Sequence, residues 1–225
     1  MTRIKAMVIA AAVALGLAAP AQAATITTLF NTGVDAAGVP LPDGTVTDPH
    51  YSLIATPGGT SSILVRQSAG GFPIPPYIGD NAFSAWIGPF NDTILDGPVG
   101  SYTYRTTFDL TGFNPSTASI TGGWSSDNNG LDILINGVSL GYTTSFTQFA
   151  IGFSPFSVTS GFVSGINTLD FVVNNGGGPT ALRVEMSGTA SPAAAVPEPA
   201  TLLLAGIGGV GLIGARLRKR KEAVA

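Results

Sequence analysis

Over the second half of the chain, apolar and polar side chains alternate with a period of two. Tyr102, Tyr104, Thr106, Phe108 and Leu110 fall on one face of an extended segment, and Thr103, Arg105, Thr107 and Asp109 on the other. This is the pattern of a half-buried antiparallel strand. Leu131, Ile133 and Ile135 alternate with Asp132, Leu134 and Asn136. Asn136-Gly137 then supplies the dipeptide favoured in type I′ hairpin turns, leading into Val138-Ser139-Leu140. Leu169, Phe171 and Val173 alternate with Asp170, Val172 and Asn174, and Leu182, Val184 and Met186 with Arg183 and Glu185. Less regular strand candidates cover 24–30, 50–55, 62–67, 82–87, 118–124 and 149–158. Turn formers separate them: Asn114-Pro115, Asp127-Asn128-Asn129-Gly130, and Asn174 through Pro179. Many short strands without an amphipathic helix predict an all-β chain folded as an antiparallel β-sandwich over 24–190. Parallel crossovers would need helices that the pattern lacks.

The two ends break this pattern. Arg3 and Lys5 precede an apolar run from Ala6 to Ala19, which Pro20 ends. Ala21-Gln22-Ala23 then places small side chains where a signal peptidase reads them. The expectation is a signal peptide over 1–23, with the mature chain starting at Ala24. At the other end, 191–196 is a small-residue linker, followed by Pro197, Glu198 and Pro199. A glycine-rich apolar run over 201–215 comes next. It stops at a basic cluster over 216–221 that contains Arg216, Arg218, Lys219, Arg220 and Lys221. A helix of that length reaches ~22 Å against a hydrocarbon core of ~30 Å, a short transmembrane span that snorkelling basic side chains extend. The same cations orient it, with the sandwich outside and the C-terminus in the cytoplasm.

Composition removes several function classes. The chain has 225 residues and no cysteine, so disulfides, thiolate metal sites and cysteine nucleophiles are excluded. One histidine, His50, excludes a multi-histidine zinc site. Between Ala24 and Val196 three arginines face eleven acids, a formal charge of −8 with no lysine. Nucleic acid is therefore not an expected partner, since its binding rests on neutralising phosphates.

The order of parts in the tail resembles the PEP-CTERM sorting signal, with Pro197, Glu198 and Pro199 as its motif over 197–221. The resemblance implies a Gram-negative bacterium and maturation by signal peptidase and by exosortase, an integral-membrane transpeptidase. It also implies transient residence in the inner membrane and delivery to the cell envelope, surface or extracellular matrix, with exopolysaccharide or biofilm as the setting. The sandwich in turn resembles the galactose-binding-like jelly roll. The matching segments are Tyr104 through Leu110, Leu131 through Gly137 and Gly165 through Val173.

No catalytic constellation stands out. Only His50 is available as the base of a serine triad, and no Gly-x-Ser-x-Gly occurs. Sugar recognition pairs an aromatic platform with planar polar groups, and Trp124 lies near Asp127, Asn128 and Asn129 where a strand becomes a loop. Core packing is the competing reading for Trp124 and Trp86, and turn chemistry for the Asp-Asn-Asn-Gly run. A structural calcium is the one cofactor considered, with Asp127, Asn129, Asp132 and Glu185 as its candidate ligands. The expectation is an exported, non-catalytic surface or matrix protein associated with exopolysaccharide. A specific carbohydrate-binding module is the alternative, and a polysaccharide hydrolase the remote one.

Overall fold

The computed structural model describes residues 22–43, 47–59, 63–66, 71, 73–89 and 97–194. In chain order the strands are β1 (Ala24–Thr25), β2 (Tyr51–Ala55), β3 (Leu64–Arg66), β4 (Trp86–Gly88), β5 (Gly100–Asp109), β6 (Ser119–Asp127), β7 (Gly130–Ile135), β8 (Val138–Ser139), β9 (Ser154–Val158), β10 (Ile166–Asn175) and β11 (Ala181–Ala190). One antiparallel sheet has the order β2-β5-β10-β7-β8. The other runs β3-β4-β11-β6-β9, with β1 also paired to β11. The chain packs as two units, Met1–Pro192 and Ala193–Ala225, and the sandwich belongs to the first. The all-β antiparallel sandwich expected from the alternation is the fold observed.

Register follows the apolar pattern. Tyr102, Tyr104, Thr106, Phe108 and Leu110 are all buried, because a period of two sends each of them to the space between the sheets. Trp124 and Phe156 both pack against Phe171, with ring centroids 5.8 Å apart in each pair. The hairpin turn predicted at Asn136-Gly137 has positive φ at both residues, +50° and +80°, as type I′ requires. The Asn136 side chain holds it in place, donating 2.8 Å to Gly161 O and accepting 2.9 Å from Thr168 N.

Four elements differ from the sequence expectation, each for a local reason. The strand expected over 82–87 begins only at Trp86, because Asn81 Oδ1 accepts from Phe83 N and Ser84 N and holds them in a turn. Residues 148–151 form a single helical turn, α1 (Gln148–Ile151), and the strand begins only at Ser154. The Gln148 amide closes that turn by donating 2.9 Å to Gly152 O. The segment expected as a strand over 24–30 leaves the ladder after Thr25 but stays on the edge of β11. There Asn31 Oδ1 accepts from Met186 N at 2.7 Å and Thr32 Oγ1 from Val184 N at 3.0 Å. In β7 the register slips between Val172 and Val173, so that Val173 faces Gly130 while Leu131 turns outward, 40% exposed. Gly130 then sits beneath the Trp124 ring, where any β-carbon would collide with three ring atoms.

The outer face of the β11 sheet is not left to solvent. Residues 74–78 and α1 lie over it in a second apolar cluster of Trp86 and Ala181 with Ile74, Tyr77, Ile78 and Phe149. This cover buries Trp86 completely, and Arg183 on the same face is closed off by Gly79, Ser84 and Phe153, although both point away from the main core. Among the described residues no helix is long and apolar enough to cross a membrane. The expected signal-peptide run, the Pro197-Glu198-Pro199 motif, the 201–215 helix and the basic cluster fall outside the described residues.

Candidate functional site at one end of the sandwich

Strands β6 and β10 end in asparagine-rich loops that meet at one end of the sandwich. Asn128 N donates 2.9 Å to Asn174 O, and Asn174 N returns 2.9 Å to Asn129 O. The Asn174 amide also reaches Asn129 Oδ1 at 3.2 Å. Asn128 Oδ1 accepts from Gly176 N at 2.5 Å, and Thr144 Oγ1 accepts from Gly130 N at 2.5 Å, which adds a third loop. Asp127 is buried, 3% exposed, and its carboxyl accepts from Tyr77 Oη and, at 2.8 Å, from Asn128 Nδ2. Burial pushes its pKa up to about 7, since the ionised form is poorly solvated there.

Asp127, Asn128 and Asn129 sit together in this loop, and their side chains are largely engaged, by one another and by Tyr77, Gly176 and Asn174. Trp124 does not join them as a platform. It is fully buried between the sheets, and its Nε1 meets no acceptor among the described residues. The alternation explains this correction: Trp124 lies three residues before Asp127, on the inward parity of β6 with Ile120. Trp86 is likewise buried, its Nε1 donating 3.0 Å to Ile78 O.

The calcium set does not assemble. Asp132 lies on β7 in the opposite sheet and caps backbone, accepting from Ile133 N at 2.8 Å and Gly141 N at 2.9 Å. Glu185 pairs in register with Gly123, and Asp127 with Ala181, four residues further along, a separation of ~13 Å. Only Asn129 stays beside Asp127. Among the described residues no three His, Asp or Glu side chains converge on a point that could hold a metal.

One exposed aromatic was missed by the sequence reading. Phe146, 58% exposed, stands beside the asparagine loops. A β-carbon on Gly176 would lie 3.2 Å from both Asn128 Oδ1 and Phe146 Cε2, so ring and amide flank the same glycine. Its signal was a lone aromatic in the polar stretch Thr143 to Gln148, which no strand periodicity claims. His50, weighed as a base, stacks flat on Phe30 with centroids 3.6 Å apart. The cavity beside it, about 290 Å³, is lined by one carboxylate, Asp109.

Comparison with known proteins places the C-terminal segment. Residues 195–220 match the PEP-CTERM protein-sorting motif. The chain therefore carries a PEP-CTERM tail. That motif marks an exported protein processed at the membrane of Gram-negative bacteria, with exosortase as the processing enzyme. A comparison with curated protein sequences found no match. Among solved structures, the chain is similar to a CBM35 from Paenibacillus barcinonensis at 15% identity, covering 61% of this chain and 92% of that one, with a TM-score of 0.35. It is similar to a family 35 carbohydrate-binding module from an environmental isolate at 16% identity, covering 68% and 97%, with a TM-score of 0.32. A third likeness is to the CBM36-1 domain of a xylanase from the hindgut metagenome of Trinervitermes trinervoides, at 16% identity, 53% and 86% coverage, and a TM-score of 0.29.

Proposed function

We propose that this protein is a non-catalytic component of the cell surface or extracellular matrix, delivered by its PEP-CTERM tail, whose sandwich holds polysaccharide. The observation that carries the delivery is the sorting motif at 195–220 behind a folded β-sandwich. Pro197 and Pro199 fix φ and lack backbone donors, so the motif resists joining either a strand or the following helix. It thereby offers exosortase a polar sequence flanked by two prolines. Replacing Pro197, Glu198 and Pro199 with alanine removes the recognised groups. In a host with exosortase, the triple variant should accumulate as unprocessed inner-membrane protein, read by fractionation and intact mass. Trimming and delivery like wild type would overturn the sorting role.

The holding of polysaccharide is supported by Phe146, a solvent-facing ring set beside planar asparagine amides at the loop end. Sugar rings present apolar C–H faces that stack on such a ring, and Asn129 Nδ2 and Asn174 Oδ1, which carry no hydrogen bond among the described residues, bond the hydroxyls. Affinity electrophoresis of the full-length protein in gels containing neutral polysaccharide tests this. Retardation should weaken in Phe146→Ala, while mobility that no polysaccharide changes would overturn the reading.

A further inference from the structure

The buried Arg183 anchors a second constellation, on the outer face of the β11 sheet. Its Nε donates 2.7 Å to Ser84 Oγ, one terminal nitrogen donates 3.0 Å to Ser84 O, and the other donates 2.7 Å to Gly79 O. The arginine is 0% exposed, and burial lowers its pKa, so the fold maintains this cation at a desolvation cost. What it holds is the loop 79–84. Within that loop Asn81 Oδ1 accepts from Phe83 N at 2.9 Å and Ser84 N at 3.0 Å, fixing a tight turn. Asn31 clamps the turn to β11, donating 2.9 Å to Phe83 O while accepting 2.7 Å from Met186 N.

The product of this network is an exposed ring and an oriented carboxylate. Phe83 is 64% exposed, although its backbone is tied on both sides. Glu185 Oε1 accepts from Asn81 Nδ2 at 2.6 Å and Ser84 Oγ at 2.8 Å, and Arg183 stands 3.9 Å away. Among the described residues, Glu185 Oε2 receives no hydrogen bond. Phe83, Glu185 and Asn31 line an open groove of about 480 Å³ with the exposed Thr121 and Ser187, and with Gly122 in its floor. That volume lies within the ~300–1,000 Å³ usual for small-molecule sites. The carboxylate and the backbone that carries the ring are set before any ligand arrives, which reduces the ordering left to binding.

We infer that this groove is a second saccharide site, which takes a ring of a neutral polysaccharide. The inference rests on the polysaccharide reading above. The C–H face of the sugar packs on Phe83, and a hydroxyl donates to Glu185 Oε2. Thr121 and Ser187 supply hydroxyls at the rim. An anionic chain is disfavoured by the formal charge of −8 on the body. A cationic chain gains little, because Arg183 already offsets the carboxylate.

The two native tryptophans are fully buried, which permits a local readout. The Phe83→Trp variant of the full-length protein, in mild detergent, places an exposed indole at the groove. Galactomannan, dextran and laminarin serve as neutral probes, with chitosan and alginate as charged ones. At least one neutral polymer should shield the new indole, lowering its acrylamide quenching constant twofold or more. Adding Glu185→Gln keeps the internal acceptor but replaces the free oxygen with a donor, and should raise the half-saturating concentration at least tenfold. Leu131→Ala in the same background should change nothing. If gels retard the wild type but no neutral polymer shields the indole, the groove is not a site and the polysaccharide reading survives. Shielding by chitosan or alginate alone also overturns the inference. If no polysaccharide retards the wild type in gels, both readings fall together.

Discussion

Gly130→Ala tests the junction between the core and the loop end. Gly130 lies in β7 and is not among the glycines with positive φ, so alanine meets no left-handed backbone there. It adds one methyl group under the Trp124 ring. That β-carbon would lie 2.7 Å from Cζ2 and closer still to Cζ3 and Cη2, where carbon–carbon contact normally needs ~3.5–4.0 Å. The ring would have to retreat by roughly 1.5 Å to reach that contact distance, yet it is fully buried and backed by Phe171 at 5.8 Å. Overpacking a filled core costs ~1–3 kcal/mol, and a rigid indole puts this site at the upper end. A loss of ~3 kcal/mol corresponds to a melting temperature lower by ~6–12 °C for a domain of this size. Thermal melts followed by near-UV circular dichroism would report it, with Leu131→Ala as the exposed neighbour whose effect should stay small. Trp124→Phe removes the colliding ring atoms, so Gly130→Ala added to that background should cost under ~1 kcal/mol. Equal losses from Gly130→Ala in both backgrounds would refute the steric argument.

Two further outcomes are expected. Asp127 binds its proton more tightly folded (pKa about 7) than unfolded (3.8), so its contribution favours the fold at low pH. That contribution should fade as pH rises from about 4 to about 7, and Asp127→Asn should remove this part of the pH dependence. Urea midpoints of the two proteins across that window check it, and parallel curves would refute it. Arg183→Lys should lower the unfolding free energy from urea titration by at least ~2 kcal/mol, because an ammonium cannot make the three directed bonds that the guanidinium makes. A lysine variant as stable as wild type would show that charge alone suffices.

The sequence by itself determined what depends on local periodicity and on chemistry within a few residues. The alternation from Tyr102 to Leu110 specified a strand and its buried face, because side-chain direction in an extended chain has a period of two. Asn136-Gly137 specified its turn, because those residues tolerate positive φ. The tail was legible because its motif, apolar run and cations are contiguous. Only the tertiary structure decided how exposed faces are used. Alternation placed Arg183 on the face opposite Leu182 and Val184 but could not reveal that Gly79, Ser84 and Phe153 close over it, or that residues 74–78 and α1 cover Trp86. Nor could spacing pair Phe83 with Glu185, or Asn31 with Met186, which lie 155 positions apart. It also separated Asp127 from Glu185 by placing them at different heights on neighbouring strands. Such juxtapositions are set by strand order and register, which arise from packing of the whole core and leave no mark at fixed spacing along the chain.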